Sequence, residues 1–130
     1  MGGSGRPPCV GIDLVDVSGF EARFGARAAV LTEIFTDAEL AYCHRQAHPW
    51  PHLAARFAAK EALLKALTSG LTGAMRWRDI EVVRDPAGTP RLRLTGATAD
   101  VMARARLAPS SVSLSHTASQ AIAVVLLAPA

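Results

Sequence analysis

LAARFAAKEALLKA, from Leu53 to Ala66, is the stretch on which the fold turns. Read as one helix, its 3.6-residue period brings Phe57, Glu61, Lys65 and the following Thr68 within an arc of one face, while Leu53, Leu64 and Leu67 line an adjacent apolar stripe. A carboxylate and an ammonium therefore stand at the edge of a core. Glu61 precedes Lys65 by four residues, roughly 6 Å along the axis at 1.5 Å rise per residue, close enough to share one charged ligand. On an isolated helix such a pair ordinarily decorates a solvated face for a few tenths of a kcal/mol. The neighbouring stretches decide between the two readings.

Outward from this helix the punctuation is clear. Pro49 and Pro51 break the preceding segment, and Pro51 suits the first turn of the long helix. Ser69-Gly70 ends it, glycine being the usual residue just past a helix C-terminus. Upstream, Thr36-Asp37-Ala38-Glu39 has the form of a capping box, with Phe35 before the cap, and predicts a helix running to about Tyr42–Arg45. Asp16 and Ser18 suggest another helix start, carrying Phe20 and Phe24 at i and i+4.

The strands lie at the start, middle and end of the chain. Cys9 to Val15 is a short β-type run in which Val10, Ile12 and Leu14 share one face and Gly11, Asp13 and Val15 the other. Asp13 interrupts an otherwise apolar strand, either as a hydrogen-bond acceptor or cap at its end or as a metal ligand. Trp77 to Arg84 and Arg91 to Leu94 flank the turn-rich Asp85-Pro86-Ala87-Gly88-Thr89-Pro90, which predicts a β-hairpin. Ala97 to Leu107 reads as a helix closed by Pro109 and Ser110, Ser111 to His116 alternates as a strand with Val112 and Leu114 facing a core, and Ala121 to Leu127 makes a buried final strand. The fold class is α+β with a mostly antiparallel sheet.

With 130 residues, half of them hydrophobic, the chain builds one core. Residues 8–130 form a single domain, and 1–7, with Gly-Gly-Ser-Gly, form a flexible N-terminal segment. A net charge of +3 favours a phosphate-bearing or acidic partner, whereas 5% aromatic residues and no run of five Lys or Arg speak against nucleic acid. Cys9 and Cys43 have neither the number nor the spacing of a disulfide framework or zinc site and are expected reduced. No signal peptide or membrane span is apparent, so a cytoplasmic location with no membrane partner is expected.

His116 closes a strand beside the hydroxyls of Thr117 and Ser119, a place suited to a structural hydrogen bond, a phosphate or general-base chemistry. Three blocks now resemble one family: GIDLVDV at Gly11 to Val17, FAAKEALLKAL at Phe57 to Leu67 and SVSLSHT at Ser111 to Thr117, joined by IFTDAEL at Ile34 to Leu40 and the WRDIEV strand at Trp77 to Val82. Together they resemble the holo-acyl-carrier-protein synthases, the small trimeric branch of the 4′-phosphopantetheinyl transferases, over the chain from Cys9 to Leu127.

That resemblance implies transfer of the 4′-phosphopantetheine arm of coenzyme A to a serine of an apo acyl carrier protein, releasing adenosine 3′,5′-bisphosphate. It implies Asp13 and Glu61 as ligands of a Mg²⁺ that also binds the coenzyme A pyrophosphate, and magnesium is commonly held by one or two carboxylates plus substrate phosphates. Lys65, with Lys60 beside it, would stabilise charge on the pyrophosphate. His116 and Thr117 would contact coenzyme A as a nucleotide-binding pair, and Arg56 would add a phosphate contact.

A homotrimer with active sites between subunits is implied as well, and a carrier protein of fatty acid or polyketide synthesis. Two positions depart from the family pattern: Gly19 stands where many relatives have an arginine that meets the carrier protein, with Arg23 and Arg27 as the nearest substitutes, and Thr117 stands where some have Asp. The alternatives are a noncatalytic coenzyme A or carrier-protein-binding module and a trimerisation module of a larger synthase. Asp13, Glu61 and Lys65 together argue against both.

Overall fold

The computed structural model describes residues 8–68 and 70–130, so the segment 1–7 and Ser69 at the expected helix end lie outside the described residues. Strand β1 (Cys9–Asp16) is followed by helices α1 (Val17–Phe24), α2 (Ala28–Ile34), α3 (Asp37–His44) and α4 (Pro49–Ala66). A single 3₁₀ turn at Trp77–Asp79 leads into β2 (Ile80–Arg84) and β3 (Pro90–Leu94), then α5 (Gly96–Arg104), β4 (Leu107–His116) and β5 (Gln120–Pro129). The strands form two antiparallel sheets, one ordered β1-β5-β4 and a hairpin of β2 with β3.

Helix α4 occupies the centre. Leu53, Ala54, Ala55, Ala58, Ala59, Ala62, Leu63, Leu64 and Ala66 are all buried, far more than one apolar stripe would require. A helix hydrophobic nearly all round is packed on several sides; here the larger sheet covers one side and α1, α3 and β2 cover others. Alanine permits the close approach, and Gly11 completes it: a Cβ at that position would fall 1.8 Å from the Ala62 carbonyl oxygen. The glycine on the inward face of β1 thus lets the strand lie directly on α4 and sets Asp13, two residues on and on the same face, against the next turn of the helix.

Both capping expectations resolve into contacts. Asp16 accepts from the Gly19 amide at 2.8 Å and caps α1, so the cap after β1 is Asp16 rather than Asp13. Thr36 and Glu39 make the reciprocal capping box of α3, Glu39 N–H donating to Thr36 Oγ1 at 3.2 Å and Thr36 N–H to Glu39 Oε1 at 3.0 Å.

Four features differ from the sequence expectation. Helix α2 was not anticipated, and its start has no side-chain cap that a sequence pattern could reveal. The stretch from Trp77 is a strand only from Ile80 onward. The expected helix to Leu107 stops at Arg104; Arg106, with φ of 58°, reverses the chain, and Leu107 already pairs with Pro129. Pro109 lies within β4 rather than closing a helix, because β4 is an edge strand and its register shifts between Pro109 and Ser111.

Burial pushes the Cys43 thiol up to about 11, which keeps it protonated and inert. Among the described residues no helix is long and apolar enough to cross a membrane.

Candidate active site

Asp13 and Lys65 meet where β1 crosses the last turns of α4. Lys65 Nζ donates to Asp13 Oδ1 at 2.7 Å and to the Ile12 carbonyl at 3.2 Å. The Asp13 side chain is 14% exposed and that of Lys65 is 55% exposed, so the carboxylate is held against protein while the ammonium still faces solvent. Glu61, one turn before Lys65, is half-buried. Burial pushes its carboxyl above the usual range and the charge of Asp13 pushes it further, with Lys65 and Arg23 pulling the other way.

Two carboxylates from different elements therefore stand close enough to repel, at the rim of the core. Hard anionic oxygens in that relation suit a hard divalent cation such as Mg²⁺. Among the described residues no group of three His, Cys, Asp or Glu converges anywhere, so a cation here would rely on these two carboxylates together with ligand oxygens and water.

His116 and Thr117 belong to a different wall. They line a cleft of about 710 Å³ together with His48, Trp50 and His52, between the start of α4 and the β4–β5 turn. Thr117 Oγ1 is committed to that turn, accepting from the amides of Ser119 at 3.2 Å and Gln120 at 3.0 Å. The His52 and His116 rings stand edge to face with centroids 4.6 Å apart, and Tyr42 lies 6.2 Å beyond His52. Around the Tyr42 ring gather the guanidinium groups of Arg56 at 4.2 Å, Arg84 at 5.4 Å and Arg45 at 5.9 Å. Burial lowers the His52 imidazole below its ordinary range, and His116, Arg56 and Arg84 add to the effect.

Arg56 thus sits on the histidine side of α4, not with Glu61. It is 2% exposed, its Nη1 donates to the His52 carbonyl at 3.4 Å, and its buried Nε has no hydrogen-bond partner. Tyr42 and His52 belong to no motif visible in the sequence. The available signal was the i, i+4 spacing of His52 and Arg56, which puts both on one helical row.

Lys60 requires a correction. Its side chain is fully buried and its ammonium is spent inside the core, donating to Glu39 Oε1 at 2.8 Å, to the Trp77 carbonyl at 3.2 Å and to the Ile80 carbonyl. It is a structural ion pair and cannot reach a phosphate. Successive residues on a helix diverge by 100°, so adjacency to Glu61 in sequence places Lys60 on the α3 side, in the row of His52 and Arg56.

The chain matches the model of the 4′-phosphopantetheinyl transferase superfamily over residues 9–125. It is 43% identical over 119 residues to the holo-[acyl-carrier-protein] synthase of Geotalea daltonii, covering 90% of this chain and 94% of that one. The Geobacter metallireducens protein of the same name is 46% identical over 118 residues, with 90% and 94% covered. Among solved structures, the acyl-carrier-protein synthase–coenzyme A complex of Chronobacterium ammoniagenes superposes with a TM-score of 0.84 at 27% identity, over 96% of this chain and 99% of that one. The Helicobacter pylori holo-[acyl-carrier-protein] synthase in complex with coenzyme A gives 0.78 at 28% identity, over 92% and 99%.

Proposed function

The chain belongs to the 4′-phosphopantetheinyl transferase superfamily, and from that premise we infer that it is a holo-[acyl-carrier-protein] synthase. It transfers 4′-phosphopantetheine from coenzyme A to a serine of an apo acyl carrier protein. The serine oxygen attacks the phosphorus that bears the pantetheine arm and gives up its proton to water. The phosphoanhydride bond breaks, and its electrons leave with the 5′-phosphate of adenosine 3′,5′-bisphosphate.

The observation that carries this reading is the cluster of Asp13, Glu61 and Lys65, in which a solvent-facing ammonium lies 2.7 Å from one of two neighbouring carboxylates. Asp13 and Glu61 would hold Mg²⁺, which supplies neutralisation of charge on the pyrophosphate oxygens. Lys65, anchored through Asp13 and Ile12, presents its ammonium to the same oxygens and to the negative charge that grows on the leaving phosphate. The second wall serves the nucleotide end. Among the described residues Arg45 and Arg84 form no ion pair with a carboxylate, so their exposed charge around Tyr42 is available to the phosphates of coenzyme A, with the buried Arg56 adding its positive charge from behind that ring and His116 and Thr117 at the mouth of the cleft. Phosphate contact by Lys60 is excluded by its burial.

Mass spectrometry of an apo carrier protein incubated with the enzyme, coenzyme A and Mg²⁺ tests the reaction. A gain of one phosphopantetheine arm is expected; no gain across a panel of fatty-acid and polyketide carriers would leave only a binding module.

Assembly completes the reading. The outward face of the larger sheet leaves Val10 65%, Ile12 54% and Leu14 63% exposed on β1, next to Leu126, Val124 and Ile122 of β5. A contiguous aliphatic face on an edge strand and its neighbour is a surface that assembly covers. We propose that three copies bury it in a homotrimer whose active sites lie between subunits. Analytical ultracentrifugation at micromolar concentration should give a trimer, and fully active monomer would refute the assignment. Ile12→Glu is expected to dissociate it.

A further inference from the structure

His52 has no part in the transfer step, yet among the described residues it makes the one ring contact that reaches His116. Among the described residues the His116 side chain forms no hydrogen bond, and it is exposed at the end of β4. Its orientation therefore depends on the edge-to-face contact with His52 at 4.6 Å. His52 is itself fixed from behind. It stands in the first turns of α4, its ring meets Tyr42 at 6.2 Å, and Arg56 closes the stack by lying 4.2 Å over Tyr42 while donating to the His52 carbonyl. A side chain on a rigid helix, backed by an aromatic and a guanidinium, thus abuts an otherwise untethered imidazole at the rim of the cleft.

We propose that His52 is a positioning residue for the nucleotide end of coenzyme A: its ring holds the His116 imidazole in the plane and direction in which it meets the ligand. The proposal rests on the reading above that His116 contacts coenzyme A. An unfixed imidazole must be immobilised each time ligand binds, whereas one already packed edge to face loses less freedom. The lowered protonation of His52 agrees with this role, since a neutral ring beside Arg56, Arg84 and His116 packs without adding a further positive charge.

The test measures dissociation constants for coenzyme A and for adenosine 3′,5′-bisphosphate by titration calorimetry, alongside kcat and KM with an apo carrier protein. His52→Ala is expected to weaken both ligands by about fivefold, the scale of one aromatic pair, with kcat within about twofold of the parent. His52→Phe, which keeps a ring at that place, should restore binding, a rescue that a purely polar contact would not give. His52→Gln takes the place of His52→Ala if that variant unfolds, with the same expected loss. The double variant His52→Ala/His116→Ala should bind no more weakly than His116→Ala alone, because His52 acts through His116.

Additive losses, or a His52→Phe variant as weak as His52→Ala, would overturn the proposal. So would unchanged affinity in His52→Ala while His116→Ala is impaired. Unchanged affinity in His116→Ala would instead sink the reading of His116 on which the proposal stands.

Discussion

Glu61→Gln is expected to lower phosphopantetheine transfer by at least about a hundredfold, the order seen when one preorganised electrostatic contact to a transition state is removed, while leaving the fold as stable as before or more so. The two halves of this expectation have one cause. Burial and the charge of Asp13 both raise the Glu61 carboxyl above its ordinary range. A carboxyl raised in the folded state stabilises the fold only when protonated, and that contribution is lost as pH climbs through its folded value. At pH values above the ordinary carboxyl range Glu61 is therefore a cost to folding that an uncharged amide of the same shape removes. The amide also removes an anionic oxygen from the donor set that suits Mg²⁺. Mass-spectrometric turnover and a thermal melt on the same preparation give both numbers. Near-normal turnover would refute the role of Glu61, and a large fall in Tm would show that it is a structural residue.

The second large effect is expected one residue earlier and in the opposite property. Lys60→Ala should destabilise the protein by about 3–5 kcal/mol, because it strands a buried carboxylate, and lower Tm by about 10–20 °C for a domain of this size. Glu39 would lose the ammonium at 2.8 Å and keep only the amides of Thr36 and Val82, each at 3.0 Å. Burial pulls the Lys60 ammonium below the usual lysine range against the attraction of Glu39 and Glu81, so the pair is costly to assemble and costly to break. Replacing both partners, Glu39→Gln with Lys60→Met, should recover part of the loss, since no uncompensated charge remains. Chemical denaturation of the single and double variants measures this. A Lys60→Ala protein with unchanged stability and a raised KM for coenzyme A would instead return Lys60 to the phosphates.

These two neighbours show where sequence reasoning reached its limit. The motif Lys60-Glu61 reads as one charged unit, and both residues suit pyrophosphate chemistry equally well on composition. The fold separates them because the helix is enclosed on several sides, so each position 100° further round meets a different partner. The row from Phe57 through Glu61 to Lys65 runs from the aromatic rings of α1 and Trp77 to β1 and solvent; the row from His52 through Arg56 to Lys60 faces α3 and β2. Glu39 illustrates the same point, since the capping box was legible from Thr36 to Glu39, but the second oxygen of that carboxylate also accepts from Val82.

By itself, the sequence determined the strand-first α+β order, the central helix, both capped helix starts and the hairpin, and it offered Asp13, Glu61, Lys65 and His116 as candidate site residues. Period, turn residues and caps are local, and local patterns are what a linear string records. Only the tertiary structure decided that Lys65 clasps Asp13, that Lys60 belongs to the core, that Arg106 turns the chain before Pro109, and that His52 braces His116. Each of these depends on which buried face meets which, set by the packing of alanines and Gly11 around α4, and burial fixes the partner and the protonation of every charge it encloses.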